Sequence, residues 1–229
     1  MLRFLIAAAA MCLAGCVTPL TVEQQAPAVS YQTQGRTLVA VVDDRERIRQ
    51  GKAPNFLGFG RVYGAPIDWT VRTIVLGEGK DLTMSQLIAA RTAFGLTANG
   101  SAAEAVALTA GASDAEAEAL LAQHDAANLL TLHVREWHFD VNTSWVGAFR
   151  FDSDFDVIVQ RAGMGTVLRK TFTENQAIDA RADASWSNMI LEAYRGKLGQ
   201  ALNDADVRAA LTAPLQAPAA PADAAASGS

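Results

Sequence analysis

The sequence predicts an α+β domain in which a mainly antiparallel sheet, a three-strand meander plus an N-terminal strand, packs against amphipathic helices. Three observations predict it. Strand-like segments at 128–141, 148–160 and 166–176 are separated only by turn-rich links, Asn142 to Gly147 and Ala162 to Gly165, short enough for hairpins. Trp186, Met189, Ile190, Tyr194, Leu198 and Leu202 recur at helical spacing and form an apolar stripe that suits a sheet face. Thr37-Leu-Val-Ala-Val-Val42 is a nearly continuous apolar run, the pattern of a strand covered on both sides.

The chain opens with Arg3, an apolar run from Phe4 to Leu13, and small residues around Gly15, the order of a secretory signal. The run is shorter than the roughly 20 apolar residues a membrane span needs. Leu13-Ala14-Gly15-Cys16 resembles the lipobox of bacterial lipoproteins, which implies cleavage between Gly15 and Cys16 and acylation of Cys16. Several acyl chains on one residue hold a protein at a membrane stably. Val17, where Asp would favour retention in the inner membrane, implies the outer membrane with the domain facing the periplasm.

Residues 1–15 are thus expected to be a signal, 16–35 an acylated terminus and tether, 36–210 the α+β domain, and 211–229 a disordered Ala- and Pro-rich tail. Cleavage removes one of the 19 basic residues and none of the 24 acidic ones, leaving a net charge of −6. That balance gives no electrostatic basis for binding nucleic acid. Cys12 leaves with the signal and Cys16 carries lipid, which excludes an internal disulfide, a Cys nucleophile and a thiolate metal site.

Within the domain, Arg45 to Gly64 is polar, then Gly-rich, and reads as a long loop presenting a surface. Thr83-Met-Ser-Gln86 and Ser113-Asp-Ala-Glu116 are capping boxes that open helices at about 84–97 and 114–123. Ala105 to Thr109 reads as a short strand. In the middle strand of the meander, Phe149, Phe151, Phe155, Val157 and Val159 form a core face, and Arg150, Asp152, Asp154, Asp156 and Gln160 a wet one.

His133 and His138 flank Glu136, but five positions on a regular strand place the two imidazoles on opposite faces. A shared metal would require a bulge. The Asp152, Asp154, Asp156 row fits either a cation site or a solvated or partner-facing acidic strip. It departs from the EF-hand pattern at Val157 and Gly163, so no metal is assigned. Gly58-Phe-Gly60-Arg-Val-Tyr-Gly64 lacks a phosphate loop's Gly-Lys-Ser/Thr; its glycines fit a tight turn exposing Phe59, Arg61 and Tyr63. With Arg45, these are the candidate partner-binding residues. No Gly-x-Ser-x-Gly elbow or other catalytic set occurs, so neither enzymatic activity nor a cofactor is expected.

These motifs together resemble the YajG-type bacterial envelope lipoproteins. The likeness comprises the lipobox, an apolar strand ending in Asp43-Asp44-Arg45, the Gly60-Arg61-Val62-Tyr63-Gly64 segment, the aromatic stretch of Trp137 and Phe139, and a closing amphipathic helix. The resemblance implies a small tethered α+β domain without catalytic residues. The expected function is a non-enzymatic binding or assembly module that engages an envelope protein or glycan. The alternative is an accessory lipoprotein of a lipid or solute transport system.

Overall fold

The computed structural model describes residues 18–62, 65–142, 148–181 and 183–215. Gly15, Cys16, Tyr63, Gly64, the link at 143–147 and the tail beyond 215 lie outside the described residues. Seven strands form one sheet: β1 (Thr37–Asp43), β2 (Phe56–Val62), β3 (Ala65–Thr70), β4 (Ala103–Ala105), β5 (Asn128–Asn142), β6 (Ala148–Arg161) and β7 (Gly165–Asp179). Among the described residues there are seven helices: α1 (Val22–Gln25), α2 (Glu46–Arg49), α3 (Val71–Ile74), α4 (Met84–Ala98), α5 (Asp114–Gln123), α6 (Trp186–Leu202) and α7 (Ala205–Thr212).

The mainly antiparallel sheet expected from the sequence is not what forms. The sheet is mixed and curled into a half-barrel, with β1 parallel to both β4 and β5, and β2 parallel to β5. Only β2–β3, β5–β6 and β6–β7 pair antiparallel. The hairpin links announce the antiparallel pairs locally, whereas the parallel pairs join distant residues, such as Thr37 and Asn128, with no local signature. The expected 45–64 loop likewise resolves into α2 and β2, and the short strand falls at Ala103–Ala105 rather than 105–109.

β1 explains its own apolar run. Val39 and Val41 face the main core with Met84, Leu87 and Ile88 of α4, while Leu38 and Ala40 face a second core with Ala117 and Leu121 of α5. Both capping boxes form as their sequences predict: Thr83 Oγ1 accepts from Gln86 N–H, and Ser113 Oγ from Glu116 N–H. α6 and α7 close the concave face of the sheet. There the Trp137 ring meets Phe151, Phe155 and Tyr194 edge-on at centroid distances of 5.2, 5.5 and 5.1 Å, near the optimum for aromatic pairs.

β5 carries a bulge. Val134 lies opposite Phe155, but Glu136 lies opposite Asp154, so Arg135 is an extra residue in the strand. The side-chain alternation is thereby reset. Leu130, Leu132 and Val134 point into the core before the bulge, and Trp137, Phe139 and Val141 point the same way after it. In register with Asp156, Asp154 and Asp152, His133, Glu136 and His138 therefore share the outer face.

The segment read as a tether is instead a strap bound to the domain. Ala26, Val29, Tyr31 and Thr33 are buried. Tyr31 Oη donates to Leu202 O (2.8 Å), Asn203 Nδ2 donates to Ala28 O (2.8 Å), and Asn99 Nδ2 donates to Tyr31 O (2.7 Å). Pro27 lies so close to α4 that a Cβ on Gly95 would collide with its carbonyl. At the other end, Leu211 is buried and Arg161 donates to Ala213 O and Pro214 O, so contacts with the domain continue past the expected boundary at 210.

Gly58 and Gly60 lie in β2, not in a turn. A Cβ on Gly58 would overlap the Phe139 carbonyl of the neighbouring strand, and one on Gly60 would overlap the Trp69 indole. Overpacking of this kind costs about 1–3 kcal/mol. Gly58→Ala is accordingly expected to lower the unfolding free energy measured in urea by that amount with little change in slope, whereas Gly163→Asn, in the open β6–β7 turn, stays within about 0.5 kcal/mol.

Candidate functional site

β1 and β2 lie in line along the same edge of β5. Asp44 N–H makes the last β1 contact, to Val134 O (2.8 Å), and β2 resumes the pairing with Gly58 opposite Phe139. The junction is a gap in the pairing along this edge of β5, between Val134 and Phe139. Arg45 fills it: Nη1 donates to Phe56 O (2.8 Å) and Trp137 O (3.2 Å), while Nε and Nη2 donate to the two Asp43 oxygens at 2.7 and 2.8 Å. With 2 % of its surface exposed, Arg45 has no face left for a partner. Its expected role in partner binding is replaced by a structural one: the guanidinium, with five donors in a rigid fork, substitutes for missing backbone.

The bulge residue Arg135 performs the matching task on the outer face. Its guanidinium spans two rungs of β6, bonding Asp154 (2.8 Å) and Asp156 (2.9 Å). Arg169 adds a contact to Asp156 (3.2 Å), and Arg150 pairs with Asp152 (3.1 Å). Burial alone would raise the Asp156 pKa, but hydrogen bonds from Arg135 and Thr171 outweigh it and hold the carboxyl at about 2. The acidic row is thus paired with basic side chains in place. Although the bulge puts His133 and His138 on one face, they sit opposite Asp156 and Asp152, four β6 positions apart and too far to share a metal. Among the described residues no group of three or more His, Cys, Asp or Glu side chains is placed to hold a metal ion.

Beside this charged lattice is an aromatic ledge. Phe59, 37 % exposed on β2, packs against Phe56 (5.0 Å between centroids) and edge-on against His138 (5.4 Å). Lys52 Nζ stands 5.0 and 5.1 Å from the Phe59 and Phe56 ring centroids while pairing with Asp68 (2.6 Å). Burial, reinforced by the nearby Arg47, pushes the His138 pKa down to about 4, so the imidazole is neutral at ordinary pH. Arg61 follows on the same strand and is exposed; Tyr63 lies outside the described residues. The structure therefore brings together Phe59, Lys52 and His138 and removes Arg45 from the expected set. The contact of His138 with Phe59 is not visible in the sequence because it arises through the parallel β2–β5 pairing. The signal available was the phase slip between Val134 and Trp137.

A second feature is an apolar groove of about 440 Å³ between α4 and residues 105–108, lined by Val41, Leu82, Ala89, Ala90, Val106 and Leu108. Among the described residues no helix is long and apolar enough to cross a membrane.

The sequence matches no protein-family model, and no curated protein is similar to it. Comparison with solved structures gives matches at low identity. Protein XCC0632 from Xanthomonas campestris, of family DUF330, is 13% identical with a TM-score of 0.46 over 82% of this chain and 91% of that one. An uncharacterized protein is 11% identical with a TM-score of 0.36 over 76% and 94%. A PelC dodecamer from Paraburkholderia phytofirmans is 16% identical with a TM-score of 0.34 over 82% and 97%.

Two outcomes test this geometry. Removing one member of a buried ion pair costs about 3–5 kcal/mol, so Arg45→Met, which keeps the volume and strips the donors, should lower stability by that order in urea unfolding. His138 is harder to protonate folded than unfolded. Its contribution is complete above about pH 6.5 and is lost as the pH falls toward 4, a drop on the order of 3 kcal/mol. His138→Gln should flatten the stability profile across that interval.

Proposed function

We propose that this protein is a lipid-anchored module of the bacterial cell envelope that binds a partner rather than transforming a substrate, facing the periplasm from the outer membrane. The Leu13-Ala14-Gly15-Cys16 sequence supports the anchor, and the motifs shared with YajG-type lipoproteins support the class. The observation that carries the binding role is the Lys52–Phe59–His138 ledge, a half-exposed aromatic ring with a cation over it and a neutral imidazole at its edge. A ring of this kind offers a flat apolar contact, and Lys52 supplies an ammonium beside it, a composition suited to the core and rim of a protein interface or to a sugar ring. The neutralised outer face contributes little net field, so recognition here depends on shape and hydrogen bonding more than on charge.

A photocrosslinking residue at position 59 of the acylated chain should capture one dominant envelope component in cells, and the same residue at position 164, at the far end of β6, should not. Identical capture patterns from the two positions would remove the ledge from the proposal. Phe59→Ala, which takes away the exposed ring, should reduce that capture at least tenfold when the crosslinker is moved to position 61.

The α4 groove supports a second reading, an accessory protein of a lipid or solute transport system, because its lining is mostly aliphatic and its volume suits part of an acyl chain. Native mass spectrometry of the domain beginning at Thr18 decides it: a co-purified lipid lost on Ala90→Trp supports carriage, and an empty domain argues against it.

A further inference from the structure

We infer that the domain is seated directly on the bilayer through one end of the sheet, the end where α6 begins, an inference that rests on acylation of Cys16. The first described residue, Thr18, is not free: Asn188 Nδ2 in the first turn of α6 donates to its carbonyl (3.0 Å), and Asn188 is itself 8 % exposed. Two residues on, Leu20 packs against the main core, and Gln25 Nε2 fixes its carbonyl (2.8 Å). From Thr18 onward the chain is part of the body.

Only two residue steps separate Cys16 from Thr18, and an extended chain covers at most about 3.6 Å per step, so the acylated residue lies within roughly 7 Å of Thr18. Insertion of the acyl chains fixes the height of Cys16 at the membrane surface, and the leash is too short to lift the domain away. The elements around Thr18 are therefore those that meet lipid headgroups. Trp186 opens α6 with its ring 6.0 Å from Phe149, the second residue of β6. Ala148 in turn lies opposite Asp179, the last residue of β7, and Asn142 at the end of β5 lies opposite Arg61 of β2. The start of α6, the end of β7 and the β2–β3 tip thus share one end of the molecule. Trp186 at this end is of the residue type that settles at membrane–water boundaries. The opposite end is the β6–β7 turn at Met164, separated by the 14 residues of β6, about 45 Å.

The test uses the full acylated chain reconstituted into phosphatidylethanolamine/phosphatidylglycerol vesicles carrying a nitroxide on a fraction of the headgroups. Because Cys12 leaves with the signal and Cys16 carries lipid, a single introduced cysteine is a unique label site. A fluorophore on Asp183→Cys, just before α6, should be quenched at least twofold more than one on Met164→Cys, both side chains being well exposed. A twelve-residue Gly/Ser insertion between Val17 and Thr18 should abolish the difference. Intact mass measurement separates the two levels of the proposal. If Cys16 is acylated and the two probes are quenched equally, or the insertion changes nothing, direct seating is overturned and the anchor stands. If no acyl mass is present, both fall.

Discussion

The fold depends on how one edge of β5 is kept satisfied. Two separate strands, β1 and β2, pair with that edge in series, and any such arrangement leaves backbone groups uncovered where one stops before the other begins. An unpaired buried carbonyl costs free energy comparable to a lost hydrogen bond, so the junction is tolerable only if something reaches into it. Arg45 does so from the first turn beyond β1, with Asp43 balancing its charge. The same region of β5 holds the bulge, and the two devices are complementary. The interruption lets the chain leave the sheet for α2, and the extra residue resets the strand so that its aromatic half still faces inward. Trp137, Phe151, Phe155 and Tyr194 can meet only because of that reset.

The outer face follows from the same bulge. A regular strand would place Glu136 and His138 on the core side and Trp137 and Phe139 in water. With Arg135 inserted, the polar residues align opposite the Asp row, and a lattice of paired charges forms on the outer face of the sheet. Its ion pairs are partly exposed and individually weak, yet together they hold the rungs of β5, β6 and β7 in register. The aromatic ledge lies at the margin of this lattice. Its rings are held by Lys52 and by the glycine-permitted approach of β2 to β5, so the exposed surface is preorganised by the strand pairing beneath it.

What could be read from the sequence divides along the range of the interactions. Thr83 with Gln86 and Ser113 with Glu116 are local devices, and both appear where their spacing places them. The Phe149 to Val159 alternation is also local and emerges as a core face. Parallel pairing is not local: nothing in Thr37 to Val42 specifies Asn128 to His133 as its neighbour, although its two-sided apolar run states that both faces are covered. Arg45 reads as a surface cation because its charge is visible and its burial is not. The strap was masked by composition, since a short Pro- and Gln-containing segment resembles a linker until Tyr31 and Val29 find their pockets. The bulge was legible in principle, because Val134 and Trp137 are three apart where a regular strand requires an even step.

The strap also bears on the order in which the molecule can assemble. Beside its contacts to Asn99 and α4, it bonds Leu202, Asn203 and Leu211, far away in sequence, so these bonds cannot form until the later segment is in place. The Tyr31 bond to Leu202 O is a closure of high sequence separation, slow by its topology. Closure of the strap against this end of the fold therefore waits on the packing of residues 171 and 175 positions away.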